Sequence, residues 1–257
     1  MLHVYRLPGD IDPPRLARGA AVIIDILRAS TTMLHALAAG ANEIAPCLEV
    51  EEALALAAAM PRESYVLGGE RGGVLIPGFD LGNTPTDYTP ERVGGKTVIF
   101  TTTNGTRTML RATHARRVLI GAFNNASAVL REIEREDQIH LLCAGSNDRV
   151  TIDDVLFAGM LAARLTADCS RPLNAAAEEA RQTWLDAIPS PYALGQSPPV
   201  ELLASELGRG LAGQKLAQLG LAADVHTAAR IDRFDLVAEF HAASRRVRGQ
   251  AGGRPFG

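Results

Sequence analysis

The sequence predicts an α/β protein: a three-layer α/β/α fold around a mostly parallel sheet, with a helical segment toward the C-terminus. Two observations carry this expectation. Short β-branched runs alternate with helix-like stretches through residues 1–165, as strands joined by crossover helices do. Two of those runs, 21–26 and 138–143, are almost continuously apolar, as a strand covered on both faces should be.

Taken in order, strands are expected at 21–26, 43–46, 65–67, 96–101, 117–120 and 138–143. Helices are expected at 31–39, 50–59, 106–112, 126–136 and 152–167. The segment Thr32-Met33-Leu34-His35-Ala36 resembles Thr108-Met109-Leu110-Arg111-Ala112, and each follows a strand and a polar, Thr-rich turn. This fits a duplicated β-loop-α-β-α unit, although chance likeness between two Ala/Leu helices explains it equally well. A true duplication would place the two turns at equivalent sheet positions, facing one cleft. The stretch 68–89 is glycine-rich and aperiodic, and so long a loop inside a compact domain is usually functional. From about 174 to 221 the pattern is helical, interrupted by Pro189, Pro191, Pro198 and Pro199, and is expected to form a helical cap. Residues 1–245 are expected to form one domain, with 246–257 as a disordered Arg/Gly-rich tail.

The chain has 257 residues, 47% of them hydrophobic, enough for a sizeable core. A net charge of -3 argues against a nucleic-acid partner, and 5% aromatics leave little for base stacking. No basic, then apolar, leader opens the sequence and no apolar run approaches a membrane span, so a cytoplasmic protein without a membrane partner is expected. Cys47, Cys143 and Cys169 lack CxxC spacing and are expected to be reduced, buried thiols. The six histidines are scattered, and no nucleophile-elbow, P-loop, zincin or dinucleotide fingerprint is present.

Four turns could carry chemistry. In Asp25-Ile26-Leu27-Arg28-Ala29-Ser30-Thr31-Thr32 an acid ends a buried strand and hydroxyls open a helix. Ligands bind outside the carboxyl ends of such strands, and a helix start suits a phosphate. Arg28 could grip the anion with both arms, Ser30 and Thr31 could hold its oxygens, and Asp25 is a candidate magnesium ligand. Alternatively Ser30 is only an N-cap and Asp25 only pairs with Arg28. In the second turn, Thr101 to Arg107, one cap would suffice for helix entry. Thr102, Thr103, Asn104, Gly105 and Thr106 are therefore expected to bind an anion, Gly105 allowing close backbone approach.

The third element, Gly68-Gly69-Glu70-Arg71-Gly72-Gly73, precedes the run 77–85 that contains Asn83. Its bare amides could form an anion nest, with Glu70 as a metal ligand and Arg71 and Asn83 on the substrate. A flexible loop with an exposed ion pair would look the same in sequence. In the fourth, Gly145 and Ser146 follow a buried strand, and Asp153-Asp154 open a helix. One of that pair suits the helix dipole; the other could face the cleft as a metal ligand or a general acid or base.

Asp25–Thr32, Gly68–Gly73, Pro77–Pro85, Thr101–Thr106 and Cys143–Gly145 together, in this order, resemble the 2-phosphosulfolactate phosphatase family. The match spans roughly 22–158 and continues more loosely around 224–240. The resemblance implies an α/β/α fold and magnesium-dependent hydrolysis of 2-phosphosulfolactate to 3-sulfolactate and phosphate, a step of coenzyme M biosynthesis. Asn83-Thr84-Pro85 stands where the family has Asn-Ser-Pro, and Asp153-Asp154 where Glu-Asp is expected.

Such a substrate carries phosphate, sulfonate and carboxylate on three carbons, and a compact polyanion of this kind needs several amide-rich turns, a cation and arginine. Asp25, Arg28 and Glu70 are the expected catalytic residues, with Asp25, Glu70 and Asp154 on the metal. Attack by water on the ion is expected, and a covalent aspartyl phosphate on Asp25 is the alternative. A phosphatase for another phosphorylated hydroxyacid and a non-catalytic metabolite-binding protein remain as other functions. A homodimer is the common default for such enzymes.

Overall fold

A computed structural model describes residues 1–167 and 170–252. In chain order it contains β1 (Leu2–Tyr5), β2 (Ala20–Ile24), α1 (Ala29–Ala38), β3 (Glu43–Cys47), α2 (Val50–Ala58), β4 (Tyr65–Arg71), β5 (Val74–Leu75), α3 (Pro90–Val93), β6 (Thr97–Thr101) and α4 (Gly105–Arg111). There follow β7 (Arg117–Gly121), α5 (Ala126–Ile133), β8 (Ile139–Cys143), α6 (Ile152–Thr166), α7 (Ala175–Ala187), α8 (Val200–Arg209), α9 (Leu211–Gln218), α10 (Ala222–Ala228), β9 (Leu236–His241) and β10 (Arg246–Ala251). The α/β class and the mostly parallel sheet are as expected. The apolar strands β2 and β8 are buried at every residue, because helices cover both faces of the sheet's interior. The segment beyond 174 is helical as well; Asn174 caps α7 through the Ala177 N–H, and Pro199 precedes α8.

The ten strands form one sheet in the order β1-β8-β2-β7-β9-β10-β3-β6-β4-β5. Its core has a two-fold pattern. One unit runs β2-α1-β3-α2-β4, the other β6-α4-β7-α5-β8. Exchanging the units turns the order β8-β2-β7 into β4-β6-β3, which is the other half of the sheet reversed. The duplication suggested by the two Thr-Met-Leu segments is therefore present in the topology. Each half borrows a strand: β2 lies between β7 and β8, and β6 lies between β3 and β4.

The halves are joined by the hairpin β9–β10. Its pairings with β7 and β3 and within itself are all antiparallel, so three successive reversals make the halves run in opposite directions. Charge fastens both seams. Arg117, which opens β7, binds Glu239 of β9 at 2.9 Å. Glu43, which opens β3, binds Arg246 and Arg248 of β10 at 3.0 and 2.9 Å. Helix α1 lies against β3, β7, β9 and β10 and so spans the seam. Twist accumulates across so wide a sheet and bends diagonally opposite corners toward one face, which lets the carboxyl ends of β2 and β6 meet.

One expectation is corrected. Residues 246–251 are not a disordered tail: they form β10 inside the sheet, with Val247 fully buried. The Arg-rich composition that suggested a tail instead supplies the seam's cations. Residues 253–257 of that call, and Cys169, lie outside the described residues. Cys47 and Cys143 are free and buried, as expected. No helix among the described residues is long and apolar enough to cross a membrane.

Ending the chain after Arg245 should abolish cooperative unfolding, because it deletes the strand that bridges the halves. Val247→Asp should cost about 3 kcal/mol or more by burying an unpaired charge. Circular-dichroism melts check both; a truncated chain that melts like the intact one would show that the seam is dispensable.

Candidate active site

The carboxyl ends of β2, β4 and β6 and the loop after β8 converge on one pocket. Asp25, Arg28, Glu70, Asn83, Thr102, Thr103, Asn104 and Ser146 line it, all of them singled out in the sequence. Asp25 follows β2 directly and is 8% exposed. Its Oδ1 accepts the N–H of Ala29 at 3.1 Å, the first residue of α1, where the helix's positive end suits a carboxylate. Its Oδ2 lies 2.9 Å from where a Cβ on residue 105 would stand. Glycine at 105 thus allows the Thr-rich turn to rest against the acid.

Glu70 sits opposite. Its Oε1 accepts both the N–H and the hydroxyl of Thr103 at 3.1 Å, and its Oε2 accepts the N–H of Gly73. Glu70 therefore ties the β4–β5 hairpin to the turn after β6. Two buried polar atoms of the lining, Thr102 Oγ1 and Asn83 Oδ1, have no protein partner. An orphaned hydroxyl and amide oxygen in a pocket await a ligand or water.

Two further acids stand behind Asp25, at the start of α6. Asp154 accepts the N–H of Ile26 and the N–H of Gly145, each at 2.9 Å; both its oxygens are thus engaged in holding the β2 and β8 turns together. Asp153 accepts the Leu27 N–H at 3.2 Å through Oδ2, while its Oδ1 is buried without a partner. The geometry therefore favours Asp153 over Asp154 as the carboxylate with an oxygen to offer. Neighbours in a helix start differ by a large rotation about its axis, and the sequence did not say which one faced inward.

Burial, followed by the charges of Asp153 and Glu70, pushes Asp25 up to about 7. Burial pushes Asp153 up to about 6. Asp154 is raised well above the usual range by burial and by its two acidic neighbours. Burial is the common cause, and neighbouring acids add to it at Asp25 and Asp154. Oxygen donors of this kind fit magnesium, which takes one or two carboxylates and completes its shell with water and substrate oxygens. Among the described residues no three His, Cys, Asp or Glu are arranged to chelate one ion, so Asp25, Glu70 and Asp154 are not gathered as one ligand set.

Several expected ligands serve the protein instead. Arg28 is 4% exposed and donates to Asp224 of α10 at 2.7 Å, to the Gly73 carbonyl at 2.9 Å and to Thr84 at 3.4 Å. Arg71 donates to the carbonyls of Glu70 and Leu48 and to Thr101, outside the pocket. Ser30 accepts the Asp25 N–H, and Thr31 donates to the Ile26 carbonyl at 2.8 Å; both hydroxyls brace the turn. Thr106 is buried beneath the site, and Gly145 is held by Asp154. Sequence reasoning missed Asn147, the α9 residues Ala212, Lys215 and Leu216, and Leu219 just past that helix, which complete the wall. Nothing local in an exposed helix marks a residue that tertiary packing brings to a distant cleft.

The class follows from these features taken with the chain's relatives: an α/β/α enzyme, a phosphoric monoester hydrolase, with an acidic, hydroxyl-lined pocket between duplicated halves. The chain belongs to the 2-phosphosulpholactate phosphatase family, whose model matches residues 5–243. A protein of Caldanaerobacter subterraneus is 35% identical over 237 residues, 92% of this chain and 93% of the relative. One of Deinococcus radiodurans is 38% identical over 235 residues, 90% and 92% of the two chains. One of Symbiobacterium thermophilum is 47% identical over 152 residues, a match covering 58% of this chain and 65% of that protein. Each is named "Probable 2-phosphosulfolactate phosphatase".

The raised carboxyls set a pH dependence. A buried acid contributes stability that is fully present below its ordinary value of 3.8 and is lost as pH rises through about 6 for Asp153 and about 7 for Asp25. Melting temperature in chelator should therefore fall between pH 5 and 8. Asp25→Asn should flatten that fall and melt higher than the parent at pH 8. A parent curve that stays level over this range would contradict the burial of unneutralised acid.

Proposed function

We propose that this protein is a magnesium-dependent phosphatase that hydrolyses 2-phosphosulfolactate to 3-sulfolactate and phosphate, the step that the family resemblance assigns to coenzyme M biosynthesis. The observation that carries the proposal is the placement of Asp25. It is a buried acid at the pocket floor, flanked by Glu70 and Asp153 and facing the Thr102–Asn104 turn.

Asp25 and Glu70 are the residues that would hold the ion, with Asp153 adding negative charge behind them. When bound, magnesium would neutralise this charge and that of the phosphoryl oxygens, lowering the barrier to attack on phosphorus. The protein's own groups do the rest. The Thr102 hydroxyl and the Asn83 amide offer polar contacts to substrate oxygens. Thr103 and Gly73 fix the Glu70 carboxylate, so it needs no reorganisation during reaction. The Ala29 N–H fixes one oxygen of Asp25, leaving the other directed at the turn after β6. Water forms a new bond to phosphorus as the ester P–O bond breaks, and a proton given up by that water ends on the departing hydroxyacid oxygen.

Purified protein should release phosphate from 2-phosphosulfolactate with magnesium and lose that activity in EDTA. Asp25→Asn should lower kcat by about 10²-fold or more while leaving the fold intact. Single turnover in ¹⁸O-water should label phosphate and leave Asp25 unlabelled. Label in Asp25 would replace water attack with the aspartyl-phosphate route, and near-parental activity of the Asn variant would remove Asp25 from the chemistry.

A further inference from the structure

A small polyanion needs positive charge, yet both arginines expected to supply it are engaged by the protein. Arg28 is in a buried ion pair with Asp224, both side chains 3% exposed, and Arg71 points its guanidinium at backbone carbonyls and Thr101. The other basic side chain of the lining is Lys215 of α9. It is exposed, and among the described residues it has no carboxylate within salt-bridge distance.

The fold sets the position of this lysine. Helix α9 rests on the glycine hairpin: a Cβ at Gly73, where φ is +93°, would stand 2.8 Å from Leu219 Cδ1 and 3.8 Å from Lys215 Nζ. Helix α9 also packs on α10, whose Asp224 grips Arg28, three residues from Asp25. Two contacts therefore relate Nζ to the catalytic turn. Leu216 and Leu219 flank it in the same wall.

We infer that Lys215 is a specificity-determining residue: it binds a second anionic group of the substrate while the phosphate lies at Asp25 and Glu70. This role rests on the phosphatase function proposed above. A charge-assisted contact of this kind contributes about ten- to a hundredfold in affinity. The lysine does not touch the reacting phosphorus, so its effect belongs in KM rather than kcat.

The test compares three substrates: 2-phosphosulfolactate, 2-phospholactate, which lacks the sulfonate, and glycerol 2-phosphate, which lacks both further anions. Lys215→Gln should raise KM for 2-phosphosulfolactate about ten- to a hundredfold with kcat little changed. It should leave KM for glycerol 2-phosphate within about twofold, and Lys215→Arg should restore most of the loss. The response of 2-phospholactate assigns the contact: loss there points to the carboxylate, parental behaviour to the sulfonate. Equal changes on all three substrates, or none on any, would overturn the inference. If the parent protein hydrolysed none of them, the phosphatase function would fail, and calorimetry with 3-sulfolactate would still test the lysine. Weaker binding to the Gln variant supports the contact, and unchanged binding overturns it.

Discussion

A carboxylate removed from water must find hydrogen-bond donors, a cation or a proton. The site is built around that constraint at Asp25. The chain supplies one firm donor, the Ala29 N–H at the start of α1, and then adds charge of the same sign nearby in Glu70 and Asp153. A purely structural design would have put a cation there. Arg28, three positions away, is instead committed to a buried ion pair with Asp224. The acid is held in place but left uncompensated by any cation of the chain beside it.

The duplicated architecture explains how one pocket acquires two chemistries. The turn after β2 and the turn after β6 occupy equivalent positions in the two halves. One presents an acid, Asp25; the other presents hydroxyls and an amide, Thr102 to Asn104. Because the halves run in opposite directions and the sheet twists, the two turns face each other across Gly105. A repeat that kept the backbone but diverged in one turn thus produced an acidic side and a neutral, hydrogen-bonding side. The flanking strands add their own acids, Glu70 at the carboxyl end of β4 and Asp153 beyond β8 by way of α6.

The repeated strands and helices were legible because burial writes itself into composition: β2 is apolar throughout and β8 everywhere but His140, and their crossover helices follow at regular spacing. The hairpin β9–β10 was not. Its residues alternate with Arg and Glu, and these charges pair across the seam with Arg117 and Glu43, partners remote in sequence. At the site, the convergence of Asp25, Glu70 and the threonine turn followed from the rule that ligands gather at carboxyl ends of strands. The employment of each side chain did not. Arg28, Arg71, Ser30 and Thr31 carry groups that serve a phosphate and a backbone carbonyl equally well, and only the geometry decides between them.

The division between arginine and lysine follows from their chemistry. Guanidinium is planar and rigid, with donors fixed in a fork. Such a group can bridge Asp224, the Gly73 carbonyl and Thr84 at once, joining α10, the glycine hairpin and the loop before α3 to the Asp25 turn. Used in that way it stiffens the frame, with three of its five N–H groups committed to the protein. An ammonium on a flexible stem makes a poor strut, yet it can follow a ligand and release it. The fold places arginines inside, where loops must be held, and leaves Lys215 exposed on the pocket wall. Three helices far along the chain are therefore part of the site: α10 through the ion that locks the turn, α9 through the ion that stays free, and α8 as the support on which both rest.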